Sequence, residues 1–134
     1  MIFILDAAAL LNNESFEFSD KDEYYTTSSV FSEWKDFRSK ALAENALNNG
    51  LLKIVDPCSV STQKTFDKCE ESGTKISDAD ISIVSLAIEF REKGKKFIVM
   101  TDDYSVQNIF KKLKISFQGV AQKEIKKHRN FKKN

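Results

Sequence analysis

The spacing of the short apolar runs constrains this chain more than any other feature. Ile2 to Leu5, Leu51 to Val55, Phe97 to Met100 and Ile115 to Phe117 are rich in branched and aromatic residues, and each is flanked by polar or turn residues. They read as buried strands. Helical patterns lie between them. Val30, Phe31, Trp34, Phe37, Ala41 and Leu42 make one apolar stripe that stops at Asn48-Asn49-Gly50, with Glu33 and Asp36 on the same helix. A second helix fills Ser61 to Ser72 and ends at Gly73, a third runs from Ser77 to Gly94, and a fourth carries Val106, Ile109, Phe110 and Leu113. Strands alternating with helices pair in parallel through right-handed crossovers. The expected fold is therefore α/β: a three-layer α/β/α sandwich around a central, mostly parallel sheet, with function at the carboxyl ends of the strands. Asn12 to Glu23 is polar and acidic and reads as an exposed loop.

The 134 residues fit one domain, expected over 1–120, followed by a basic tail over 121–134 that carries six Lys or Arg against one Glu. Cys58 and Cys69 form no metal-ligand pattern and read as two small buried hydrophobes, reduced in a cytoplasm. The opening apolar run stops at Asp6, far short of a membrane span. A soluble cytoplasmic protein without a membrane partner is expected. No GxGxxG and no Walker lysine loop is present, which disfavours dinucleotide or nucleoside-triphosphate binding by those devices. The single histidine, His128, lies in the tail and no nucleophile elbow is present, which disfavours a Ser-His or Cys-His hydrolase.

The acids fall where the fold would need them. Asp6 follows the first strand directly, and Asp102-Asp103 follow Phe97 to Met100 with Thr101 between. Asp80 lies in the first turn of the third helix and Glu33 in the first turns of the long one, so four or five carboxylates can converge on one sheet edge. Like charges gathered in a low-dielectric cleft call for a cation, and hard oxygen ligands select magnesium or manganese over zinc. Such a metal suits phosphate chemistry and a nuclease in particular. Each residue also has a structural explanation. Ser77-x-x-Asp80 has capping-box spacing, Asp103 is a good N-cap, and Glu33 can be a solvated helical Glu. Asp6 has no evident cap partner, and its occurrence with the others favours the functional reading. Asp78, Asp36 and Glu89 read as structural or solvated.

The order Ile-Leu-Asp6, Glu33, Ser77-x-x-Asp80, Thr101-x-Asp103 resembles the PIN domain over nearly the whole chain. Tyr25-Thr26-Thr27 leading to Val30-x-x-Glu33-x-x-Asp36, Ser77-x-x-Asp80-Ile81, and above all Thr101-Asp102-Asp103-Tyr104-Ser105-x-Gln107-Asn108 are similar to one branch. That branch is the Nob-type endonucleases of archaea and eukaryotes, which mature the 3′ end of small-subunit ribosomal RNA. The resemblance implies that Asp6, Glu33, Asp80 and Asp103 form the catalytic set and hold one or two metal ions, with Asp102 as an additional ligand. It also implies that Thr101 orients the site and that water is the nucleophile. Two departures stand out. Many family members have Ser two residues after the first Asp, where this chain has Ala8. Nob proteins usually continue into a zinc ribbon, which these residues do not contain; a shortened form, a paralogue without the ribbon and a free-standing PIN protein all stay open.

An acidic site repels RNA, so affinity must come from nearby cations. Lys123, Lys126, Lys127, Arg129, Lys132 and Lys133, with Phe131 to stack on a base, suit single-stranded RNA, and a solvated terminus explains them equally. Lys111, Lys112 and Lys114 make a second basic group. Three functions remain. The first is a ribosomal-RNA processing nuclease acting on pre-ribosomal RNA among the proteins of a pre-ribosomal particle. The second is a VapC-like toxin ribonuclease restrained by an antitoxin, and the third a non-catalytic PIN-fold RNA-binding module. A homodimer is compatible with each.

Overall fold

The computed structural model describes residues 1–120. Eleven elements follow in order: β1 (Ile2–Leu5), α1 (Ala8–Leu11), β2 (Glu23–Thr26), α2 (Ser28–Phe31), α3 (Phe37–Asn48), β3 (Leu52–Ile54), α4 (Ser59–Ser72), α5 (Asp78–Glu92), β4 (Phe97–Met100), α6 (Tyr104–Leu113) and β5 (Phe117–Gln118). The five strands form one all-parallel sheet in the order β3-β2-β1-β4-β5. The three-layer α/β/α architecture read from the sequence is the one found. Successive strand residues face opposite sides, and Ile4 and Leu5 are both fully buried, while Val99 is fully buried and Met100 nearly so. Both faces of the central strands are therefore covered.

The chain leaves β1 toward β2 on one side and β4 toward β5 on the other. That reversal makes a crevice beyond the carboxyl ends of β1 and β4, the natural ligand position in an open parallel sheet. The register brings the two strand ends level: Leu5 pairs with Met100, and the Asp6 amide donates to the Met100 carbonyl at 3.0 Å.

Several expectations are corrected. The loop expected from Asn12 is found as far as Asp22, but Phe16 within it is buried, Phe16 and Phe18 pack edge-on against Tyr24, and Glu23 opens an unexpected strand, β2. The single helix through Val30 and Leu42 is two helices. Asp36 caps α3 by accepting from the Ser39 amide at 2.9 Å, which starts a new helix and leaves Phe37 90% exposed instead of on the buried stripe. Glu33 consequently lies in the turn between α2 and α3, not on a helix. The run Leu51 to Val55 is a partly exposed edge strand, and the last strand is only Phe117–Gln118. Cys58 is exposed, because it stands at the start of α4, while Cys69 is buried as expected. Among the described residues no helix is long and apolar enough to cross a membrane. Residues 121–134, with the tail cations Lys126, Lys127, Arg129, Lys132 and Lys133, lie outside the described residues.

Candidate active site

The open cleft at the reversal point has a volume of about 450 Å³ and is lined by Asp6, Ala7, Ala8, Asn12, Glu33, Ser77, Asp80, Asp102 and Asp103. All five acids singled out in the sequence lie on it. Local structure delivers each one. Asp6 ends β1 and is 5% exposed; its Oδ1 accepts from the Ala7 amide at 2.8 Å and its Oδ2 from the Thr101 hydroxyl at 2.8 Å. Thr101 Oγ1 also accepts from the Asp103 amide at 3.2 Å, so one buried hydroxyl ties the ends of β1 and β4 together. Gln107 fixes the same corner by donating to the Thr101 carbonyl at 2.8 Å.

Asp80 and Asp103 stand at helix starts, and the structural explanation of each is correct as far as it goes. Ser77 accepts from the Asp80 amide at 3.1 Å and Asp80 accepts from the Ser77 amide at 3.4 Å, completing a capping box. Asp103 caps α6 by accepting from the Val106 amide at 3.1 Å. One carboxylate oxygen is engaged in each cap, and each residue still lines the cleft. The Ser77→Ala variant is expected to lose about 1 kcal/mol of stability in a urea titration, with the slope unchanged, because one donor of the α5 amino end loses its partner.

Asp102 is held differently. Its Oδ1 accepts from the Val120 amide at 2.6 Å and its Oδ2 from Asn12 Nδ2 at 3.2 Å. Glu33 is exposed on a turn pinned by Trp34, whose indole donates to the Ala7 carbonyl at 3.0 Å. Asn12, Trp34 and Gln107 as positioning residues were missed in the sequence: the first lay in an expected loop, the second in an apolar stripe, and the third appeared only inside a motif. Asp36 and Glu89 prove structural, as expected; Glu89 accepts from the Cys58 amide at 2.9 Å.

The cleft is strongly acidic: among the described residues, no Lys, Arg or His lines it. Burial, with smaller contributions from Asp80 and Asp103, pushes the Asp6 carboxyl up to about 6 despite the lowering effect of its two hydrogen bonds. Burial also raises Asp80, and Asp103 adds to the rise. The acids nevertheless do not form a ready-made ion cage. Among the described residues no three His, Cys, Asp or Glu side chains come close enough together to hold a metal. The donor set fits a hard divalent cation, being all oxygen, net negative and partly buried.

Comparisons with known proteins bear on this site. The chain matches a family model described as the PIN domain of ribonuclease over residues 3–90. It is 38% identical over 125 residues to a protein named Endoribonuclease Nob1 from Methanothermobacter thermautotrophicus, a match covering 92% of this chain and 71% of that protein. It is 33% identical over 118 residues to Endoribonuclease Nob1 from Methanocaldococcus jannaschii, covering 88% of this chain but only 56% of that protein. The fold is similar to a chain in the crystal structure of VapBC2 from Rickettsia felis bound to a DNA fragment from its promoter. There the TM-score is 0.60 at 16% identity, with 89% of this chain and 98% of that one covered.

Proposed function

The chain belongs to the PIN-domain family of ribonucleases, and from that premise we propose that it is an endoribonuclease cleaving single-stranded RNA with magnesium or manganese bound in the acidic cleft. The gathering of five acids on one cleft, at the reversal point of the sheet, is the observation that carries the reading. Asp6, Asp80, Asp102 and Asp103 would hold the cation, with Glu33 completing the catalytic set. A bound divalent cation supplies a nucleophilic water at neutral pH and offsets charge developing on the phosphate.

The protein's own contribution is placement. The Thr101 hydroxyl and Ala7 amide fix both oxygens of Asp6, and the Thr101 oxygen fixes the backbone of Asp103. The amino ends of α5 and α6, where Asp80 and Asp103 sit, favour an anionic phosphate nearby. Ala8 lines the cleft without a hydroxyl, so orientation of the first acid falls to Thr101.

We further propose pre-ribosomal RNA as the substrate and maturation of the small-subunit 3′ end as the reaction. Support comes from the two relatives named Endoribonuclease Nob1 and from the Thr101 to Asn108 run. A VapC-like toxin activity is the second reading, favoured by the structural likeness to VapBC2; it would need an antitoxin encoded beside this chain. The test is cleavage of an RNA carrying the small-subunit 3′ junction. Discrete cleavage there with manganese, lost on chelation, is expected, and an uncut junction beside cleavage of unrelated RNAs would favour the toxin reading. Deleting residues 123–134 is expected to weaken binding of single-stranded RNA roughly tenfold or more at low salt while leaving the fold intact, because up to six phosphate contacts are removed. Unchanged affinity in a filter-binding assay would remove the tail from the RNA interface.

A further inference from the structure

At the opposite end of the sheet, where β1, β4 and β5 begin, lies a groove of about 430 Å³ whose chemistry is the reverse of the cleft's. Arg91, Lys95, Lys96 and Lys114 line it over an apolar floor of Phe97, Ile98 and Ile115. All four cationic side chains are exposed. Among the described residues the ion pairs of lysines use Lys53, Lys64, Lys68 and Lys93, and none involves Lys95, Lys96 or Lys114. Arg91 is fixed by donating to the Leu113 carbonyl, and Lys95 lies 5.0 Å above the Phe90 ring.

Helix ends attract cations, and that accounts for Lys111 and Lys112 in the last turn of α6. It does not account for Lys95 and Lys96, which lie beyond Gly94 on the way into β4. Lys114 is the more telling residue. It closes α6 in the left-handed conformation at φ +60°, a position that glycine adopts without penalty. The ends of α3, α4 and α5 use Gly50, Gly73 and Gly94 for the same turn. Among the described residues, Lys114 is the one non-glycine residue with positive φ, and its side chain lines the groove.

We propose that this groove is a second RNA-binding site, one that grips the phosphate backbone of a segment remote from the bond being cut, an assignment that rests on the RNA-directed reading of the chain. Strands of four residues span about 13 Å, so the groove and the cleft lie at opposite ends of one rigid sheet. Cations at one end hold the polyanion without neutralising the carboxylates at the other. The apolar floor gives sugars and base faces a surface to rest on.

The test uses the full chain, without divalent metal, and a long single-stranded RNA titrated at several salt concentrations. The triple variant Lys95→Gln, Lys96→Gln, Lys114→Gln should bind roughly 10- to 100-fold more weakly at 0.1 M salt, with the slope of log affinity against log salt reduced by about 2. Lys114→Gly should raise the thermal midpoint and lower affinity together. Unchanged affinity and slope in the triple variant would overturn the proposal and leave the groove as a surface for an acidic protein. A higher midpoint for Lys114→Gly with undiminished RNA binding would also count against it. Because binding is read without cleavage, loss of affinity in the triple variant of a protein that cuts no RNA would refute the nuclease reading and leave the groove standing.

Discussion

Replacing Asp80 or Asp103 by Asn is expected to lower metal-dependent RNA cleavage by a factor on the order of 100 to 1,000 while the protein stays folded. Each Asn keeps an oxygen that can accept the same backbone hydrogen bond, from the Ser77 amide for residue 80 and the Val106 amide for residue 103, so both caps survive. What is lost is a negative charge facing the cation. Weakening that interaction by about 3 to 4 kcal/mol in the transition state corresponds to the stated loss of rate. Asp78→Asn is the matched control. It makes the same charge change in the first turn of α5 at an exposed residue outside the cleft, and its activity should stay near that of the wild type. Full activity in both cleft variants, or equal losses in all three, would refute the assignment.

The second large effect is on stability, and it runs against function. Burial pushes the Asp6 carboxyl up to about 6 in the folded protein, from its ordinary value of 3.8. Between those values the folded state binds more protons than the unfolded one, so stability falls as pH rises through the window and is regained on acidification. Asp80, shifted in the same direction, adds to the trend. Asp36 and Glu89 are lowered and oppose it at the acid end, below the usual carboxylate range. A shift of about 2 units corresponds to roughly 3 kcal/mol. Metal-free protein should therefore be more stable at pH 5 than at pH 7.5. Asp6→Asn should raise the melting temperature at pH 7.5 by about 5 to 10 °C and flatten the profile between pH 4 and 6. Manganese should stabilise the wild type at pH 7.5 and the variant much less. A wild-type melting temperature that is level from pH 7.5 to 5, with no gain in Asp6→Asn, would contradict the picture of a carboxylate destabilised by burial.

These effects explain how far the sequence could be read. Asp6 and Asp103 were legible because an acid just beyond an apolar strand, in an alternating fold, has one place to go. Asp80 was legible as a cap, and the cleft shows that a capping acid can also face the site. The second strand was not legible: Tyr24-Tyr25-Thr26 is a short run next to acidic residues, and its burial depends on Leu52, Ile4 and Phe16 arriving from elsewhere in the chain. Nor was the break at Asp36. Phe31, Trp34 and Phe37 fit a helical period, but Trp34 is committed to the Ala7 carbonyl and the Asp36 cap restarts the helix beyond it. Tertiary hydrogen bonds override local periodicity there, and they move Glu33 from a helix face to a turn on the rim of the cleft. The convergence of the acids on one cleft follows from their places at strand ends and helix starts, whereas the distances between their side chains do not, because sequence spacing carries no information on them.

The most direct measurement is a calorimetric titration of manganese into the wild type and into Asp103→Asn, with single-stranded RNA cleavage assayed at each point. Saturable binding and cleavage in the wild type, both lost in the variant, are the expected result. Absence of manganese binding to the wild type, or cleavage by the variant that persists after its metal binding has gone, would contradict a carboxylate-held metal as the centre of this protein's chemistry.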